Sequence, residues 1–515
     1  MSGVEFGAII RRADQNAPQA PMPTFRIPIA TALGAIAFFL VLVITDPPGP
    51  GLDPDAVSYV SAAQSAAHTG SFLVPDDGWD NTDSTMALAH FPPGYPAAIA
   101  LPVALGMPGV QSARLVNAAA AFVTVALMAW LVGEIAGTGA GILVALVLMV
   151  TPALVDVHEN VLSEPLFLAL LAITLALMVR VPGKPLPAGI AAAAAALVRY
   201  AGLCAIGAVG LWWLLRRGDP RRRVRDACVA VLPGALSLVA WAARTAHENH
   251  DETIRQFSLY GQLGPTIREG AGTLAGWLAP SLDGWLRTAG AIVVAALLIW
   301  LFAFAARRRV DEARPDSARL LAALAVMAVT YSGVVVLSRL VADPGIPLDE
   351  RLLSPLILVV EIALIVALAL WWPRRRRVWR LGACLLLLGW GTGSVLVTLD
   401  SVQYALETGN DYADESWFGS SLIAWVRTYG ETRPLFTNVP TALYFQAGRM
   451  ARTLPNELDT ATVHAFADTV RARHGLIVAF NRGTDFIQRA DSLLARIPVT
   501  ELARFPDGVV VEVRR

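Results

Sequence analysis

Charge is scarce in this chain. Asp, Glu, Lys and Arg make up 16% of its 515 residues, against about 25% in soluble globular domains. Hydrophobic residues make up 55%, and the mean hydropathy is +0.54. Disorder needs the opposite balance, so neither disorder nor a collagen-like repeat describes the whole chain. Cysteine is nearly absent. Cys204, Cys228 and Cys384 all lie in or beside apolar runs, which excludes a disulfide framework and a zinc site built from thiolates. No glycine-rich loop of the nucleotide-phosphate kind stands out, and no convincing internal repeat is found. Basic and acidic residues balance at 41 each, so no basic excess marks a nucleic-acid partner. One absence is local: residues 46–111 contain no Lys or Arg.

What the chain has is apolar length. Eleven stretches of about 13–22 residues are nearly free of charge, and most reach the roughly 20 residues that cross a bilayer as helix. They fall near 27–45, 112–133, 140–155, 161–179, 186–198, 201–215, 227–244, 289–305, 320–338, 352–372 and 381–399. No small-residue cleavage site follows the first, which therefore reads as an uncleaved span. Cytoplasmic connections carry the Lys/Arg excess in such proteins. With the N-terminus inside, the inner segments hold 21 basic residues. These are Arg11, Arg12 and Arg26, then Arg180 and Lys184, six in 216–225, five in 307–319 and five in 374–380. The outer loops hold eight: Arg114, Arg199, Arg244, Arg255, Arg268, Arg287, Arg339 and Arg351. This split orients a polytopic α-helical membrane protein of about eleven transmembrane helices with its C-terminus outside. Residues 1–26 form a cytoplasmic segment and 27–399 the transmembrane domain, with 46–111 as a large outer loop. The inner connections are short basic tethers. The outer loops are long and rich in Asp, His, Pro, Gly and aromatics, which points the chemistry outward.

In the outer loop, apolar residues at 56, 59, 60, 63 and 67 follow a 3.6-residue period. They predict an amphipathic helix that Asp53 caps, Pro54 opens and Gly70 ends. Asp55 then stands in the first turn with Tyr59 four residues on, along the same face. The stretch VPDDGWDNTDS holds four aspartates but lacks EF-hand spacing; no cofactor is expected, and a divalent metal, here or at His158 and Glu159, stays an unsupported alternative. HFPPGYP follows, leading into an apolar segment, 97–106, too short to span. His90 reads either as a loop histidine at headgroup level or as a substrate contact.

Here the chain resembles the GT-C membrane glycosyltransferases. Asp55-x-x-x-Tyr59 after the first span, with an Ala-rich helix and Gly, is similar to their first acidic motif. HFPPGYP, with His90 and Tyr95, is similar to their His/Pro-Pro-x-Tyr segment. DVHENVLSEPLF, with His158, Glu159 and Glu164, resembles their second outer motif. LVRYAGL resembles a span junction carrying Arg199, and DERLLSPL a late motif carrying Arg351. The resemblance covers about 30–400 and is strongest to the branch with protein O-mannosyltransferases and the lipid A aminoarabinose transferase. The chain departs from the family where Ala56 follows Asp55, Phe91 precedes the double proline and Leu352 follows Arg351.

The resemblance implies a polyprenyl-phosphate sugar donor and inverting transfer to an acceptor (glycan, lipid or protein) on the outer face of the plasma membrane. Such a displacement needs a base for the acceptor hydroxyl and stabilisation of the leaving phosphate. Asp55 is then the base, and Glu164 orients it or the acceptor. Arg351, Arg199 and His90 are candidates for the donor phosphate, since guanidinium groups bind phosphate bidentately. Tyr59, Tyr95, His158 and Glu159 would line the substrate site. Two other classes stay open: a transporter or flippase of lipid-linked glycans, and a glycan polymerase or ligase. A transporter would favour internal repeats and polar groups in mid-membrane.

Residues 400–515 carry ordinary charge. PLFTN, MARTL, GLIVAF, ELARF and GVVVEVR read as strands alternating with helices at 416–429, 439–447, 460–474 and 485–496. They predict a small extracytoplasmic α/β domain that serves acceptor access or caps the site.

Overall fold

The computed structural model describes residues 26–81, 84–248, 258–260, 263–278, 284–307, 316–343, 345–372, 376–429, 433–481 and 487–514. The segment 1–25, Asp83 and Arg255 lie outside them. Each of the eleven apolar runs lies on helix. Among the described residues six helices are long and apolar enough to cross a membrane. They are Ile27–Ile44, Gly109–Ala136, Pro220–Glu248, Asp316–Val341, Glu350–Trp371 and Arg377–Thr408. A seventh candidate is a bent pair, Thr138–Val150 and Pro152–Glu159, which meet at 58°. The protein is thus a mostly helical bundle with six or seven candidate spans, fewer than the eleven expected. The run 140–155 is not one helix. Thr151 is extended and Pro152 opens a new helix, because a proline ring fits the first turn of a helix but not its interior. The short helices Pro185–Val198 and Leu203–Leu214 meet at Arg199, whose backbone is also extended.

Small residues let these helices approach. Gly141 lies against Gly133 and the Ala129 carbonyl, and Gly189 lies on Ala230. Glu361 is buried midway along a candidate span. Glu361 Oε1 accepts from Thr151 Oγ1 at 2.5 Å and from Trp277 Nε1 at 3.0 Å. It ties the bend at Thr151 to the Glu350–Trp371 helix.

The helix predicted after the first span runs from Pro54 to Thr69. Asp53 Oδ1 accepts from Ala56 N at 3.1 Å, and Gly70 closes the helix in the left-handed region (φ 78°). A two-stranded hairpin follows, β1 (Leu73–Pro75) and β2 (Thr85–Ala87). The helix Gly94–Ala104 then starts just past Pro92 and Pro93.

After the Arg377–Thr408 helix the chain builds a mixed sheet from β3 (Leu435–Thr437), β4 (Arg452–Thr453), β5 (Leu476–Phe480), β6 (Val499–Phe505) and β7 (Gly508–Val513). The strand order is β4-β3-β5-β7-β6, with β3 parallel to β4 and β5 and the other pairs antiparallel. Helices cover both faces. Val463, Phe466 and Val470 pack on one, and Leu422, Ile423 and Leu443 on the other. The sheet docks on the first loop. Thr453 N donates to the Asp77 carbonyl at 2.6 Å, and Arg452 Nη1 to that of Gly78 at 2.7 Å. Trp79 stacks edge-on against Phe466.

Candidate functional site

Two backbone clamps gather residues far apart in sequence. Gly51 pairs in parallel with Asn160: its N–H donates to the Glu159 carbonyl, and its own carbonyl accepts from Val161, both at 2.9 Å. A side chain at position 51 would run into that of Asn160, which would have to move. Leu52 pairs likewise with Asp411, and Tyr412 N donates to its carbonyl at 3.3 Å. The loop with Asp53 and Asp55 thereby lies beside the start of the Glu164–Arg180 helix and the segment after Thr408.

Arg351 fills the space between them. It sits in the first turn of the Glu350–Trp371 helix, which Asp349 caps through Leu352 N at 2.8 Å. Its Nε donates to Glu164 Oε1 at 2.5 Å, Nη1 to Asp53 Oδ2 at 3.0 Å and Nη2 to Asp55 Oδ2 at 2.7 Å. Arg199 approaches from the break between its two short helices. Its Nη1 reaches Glu164 Oε2 at 2.6 Å and Ser163 Oγ at 2.9 Å. Glu164 is 1% exposed and bridges both arginines. Three carboxylates and two guanidiniums thus form one half-buried cluster. Burial pushes the Asp53 carboxyl up to about 7; the charge of Asp55 adds to this, and Arg351 opposes it. A guanidinium has five N–H donors, and Arg351 spends three of them on these carboxylates.

Four of the expected residues, Asp55, Glu164, Arg199 and Arg351, meet in this cluster. Tyr59 and Tyr95 form its wall. Both are buried, their rings meet edge to face at 5.0 Å, and burial raises the pKa of each hydroxyl. Tyr59 OH lies 3.3 Å from Ser163 Oγ, and Tyr95 OH donates to Asn117 Oδ1 at 2.9 Å. His90 is exposed and packs edge-on against Phe91, whose ring covers Tyr59. His158 turns away from the arginines. Its Nδ1 lies 2.6 Å from the Leu154 carbonyl, and it lines an apolar cavity of about 40 Å³ with Val41, Val125 and Leu358. Glu159 is buried, and neither of its oxygens meets a hydrogen-bond partner among the described residues. Ser163 does not cap its helix; its hydroxyl serves Arg199 instead.

Sequence reasoning gave Asp53 a capping role alone, but its second oxygen binds Arg351. It missed Asp411, which follows the last long helix in no recognisable motif. Among the described residues no three His, Cys, Asp or Glu are grouped to hold a metal ion.

The model of the dolichyl-phosphate-mannose-protein mannosyltransferase family matches residues 90–245, which carry the HFPPGYP, Ser163-Glu164 and Arg199 segments. No curated protein sequence matches the chain. Among solved structures, ArnT from Cupriavidus metallidurans bound to undecaprenyl phosphate aligns with a TM-score of 0.61 at 14% identity, over 95% of this chain and 98% of that one. The oligosaccharyltransferase of Archaeoglobus fulgidus aligns at 0.54 and 10% identity, over 89% and 70%. The mycobacterial arabinofuranosyltransferase AftD aligns at 0.52 and 17% identity, over 96% of this chain but 40% of AftD. With the family match on the motif-bearing third and whole-chain similarity to three such proteins, the chain has the GT-C fold of membrane glycosyltransferases.

Proposed function

We propose that the protein is an inverting glycosyltransferase of the plasma membrane. It moves a sugar from a polyprenyl-phosphate donor to an acceptor on the outer face. The N-terminus is cytoplasmic, each of the eleven apolar runs crosses the membrane, and the sheet-bearing segment is extracytoplasmic. The observation that carries the reading is the convergence of Asp55 and Glu164 on Arg351, with Arg199 beside them, where candidate spans emerge. The binding of undecaprenyl phosphate by the similar ArnT supports the choice of donor.

Asp55 takes the proton of the acceptor hydroxyl. The freed oxygen attacks the anomeric carbon as the carbon–oxygen bond to phosphate breaks, and one displacement inverts that centre. The leaving polyprenyl phosphate gains charge as it departs. Arg351 meets it with the N–H groups its carboxylates leave over, and Arg199 adds a second positive charge. Glu164 holds the two guanidiniums at a fixed spacing. When Asp53 is protonated the formal charges of the cluster cancel, which eases entry of a phosphate.

The test is mass spectrometry of lipid-linked sugars in a deletion strain. A polyprenyl-phosphate monosaccharide should accumulate and disappear on complementation with wild type, but not with Asp55→Asn. Accumulation only of long lipid-linked glycans would favour a polymerase or ligase. A donor trapped on the inner leaflet would favour a flippase.

A further inference from the structure

The segment after Thr408 reaches the cluster, and the steps above leave it unused. At Gly409 the backbone turns left-handed (φ 81°), and a side chain there would meet the Ala413 carbonyl. Asp411 is left-handed as well (φ 51°), a conformation uncommon outside glycine. Three contacts hold it. Its backbone is bridged to Leu52, the residue before Asp53. Ala413 is buried in the helical core. Gln446 Nε2, from the sheet-bearing segment, donates to the Tyr412 carbonyl at 2.6 Å. Asp411 itself is exposed, and it lies within electrostatic reach of Asp53, Asp156 and Arg351. An ordered backbone thus presents a carboxylate to solvent at the rim of the cluster.

We propose that Asp411 binds the acceptor: its carboxylate accepts a hydrogen bond from a hydroxyl of a polyhydroxylated, uncharged portion of that molecule, away from the hydroxyl that reacts. The inference rests on the glycosyltransfer reading and extends it to the acceptor's chemistry. A phosphate or carboxylate on the bound portion would face the Asp411 carboxylate, and like charges at close range repel. It also gives the C-terminal segment a task, since the contacts that fix Asp411 tie the sheet to the first outer loop.

The experiment uses the full-length protein in lipid vesicles. The donor is the lipid-linked sugar fraction of the deletion strain, and the acceptor is that strain's neutral envelope saccharide fraction, titrated. Asp411→Asn removes the charge, and Asp411→Gly removes the side chain while suiting the left-handed backbone. Each should raise half-saturating acceptor about tenfold, as loss of one hydrogen bond to a charged group does. Maximal rate should stay within about threefold, since the base is untouched. Undecaprenyl phosphate binding should not change, and Asp411→Glu should recover part of the acceptor affinity. Unchanged half-saturation in an active Asp411→Gly enzyme, or a loss confined to maximal rate, would overturn the assignment alone. A wild type that transfers from no lipid-linked sugar would overturn the glycosyltransferase reading first, and this one with it.

Discussion

Two arginines flank one turn of this protein and are held in different ways. Arg339 ends the Asp316–Val341 helix and Arg351 begins the next. Arg339 Nη1 donates to Glu269 Oε2 at 2.5 Å, and the other oxygen of Glu269 accepts from Leu348 N at 2.8 Å. That is a clamp on the turn. Its acid is 42% exposed, and the hydrogen bond from Arg339 holds the Glu269 carboxyl below its ordinary range. Arg351 instead gathers three carboxylates from two distant segments, one of them 1% exposed. A single counter-ion satisfies an arginine. A second and third add repulsion and desolvation that no gain in stability repays. Arg339 is the more deeply buried of the two, its side chain 9% exposed against 28% for Arg351, so depth of burial does not single out the arginine proposed for the chemistry. What sets Arg351 apart, and fits the role proposed for it, is the surplus of like charge around it.

The sharpest way to break this comparison is Asp55→Asn. If Asp55 is the base, transfer should fall on the order of 10²–10⁴-fold while the melting temperature barely moves, because Asp53 still caps the helix and two carboxylates still hold Arg351. Near-wild-type transfer would reassign the base, first to Glu164. Next in size is Arg351→Lys, which keeps the charge and loses the planar fork. Turnover should drop about 10²-fold, the scale of losing one aligned donor to a developing anion, and undecaprenyl phosphate should bind more weakly. Equal turnover and binding in the lysine variant would reduce Arg351 to a second Arg339.

Which of these residues the sequence could reveal follows from where their partners lie. Glu164, Arg199 and Arg351 each sit at the edge of an apolar run, where a charge needs a reason to be, so each stands out alone; Asp55 stood out through its place in the first turn of a helix soon after the first span. The helix at 54–69 was legible because its cap, opening proline, period and closing glycine are all local. Asp53 was half legible: its cap role is local, but its bond to Arg351 spans the chain. Asp411 gave no signal, because only pairing with Leu52 makes it relevant. His158 misled, since a histidine beside an acidic motif looks the same whether it faces substrate or an apolar cavity. The bend at Thr151 was written in Pro152 and passed over, because hydropathy runs through it unbroken. Glu361 was hidden by its own apolar run.

Arg339→Lys sharpens the other side of the comparison. A lysine can still reach Glu269, and the clamp holds a turn rather than a reacting group. Turnover should stay within about threefold, and the melting temperature should fall by about 2–4 °C, in keeping with a partly exposed ion pair. Measuring turnover and melting on the same preparation separates the two. A loss as large as that of Arg351→Lys, at unchanged stability, would move Arg339 into the chemistry.

The smallest effect expected is that of Asp53→Asn, and its sign is set by burial. The Asp53 carboxyl is raised from 3.8 to about 7, so the folded chain holds this proton more tightly than the unfolded one. A group shifted this way stabilises the fold below the unfolded value, and that contribution is lost as pH rises from about 4 through about 7. Asparagine cannot titrate. The melting temperature of wild type minus that of Asp53→Asn should therefore be larger near pH 5 than near pH 8. Asparagine also caps Ala56 as well as aspartate does, and only the bond to Arg351 is disturbed, so transfer should fall only a few-fold. A difference in melting temperature that stays flat across this range would mean that Asp53 is ionised throughout. Arg351 would then hold it as a plain counter-ion, as Arg339 holds Glu269, and the cluster would carry its surplus negative charge at every pH at which the protein works.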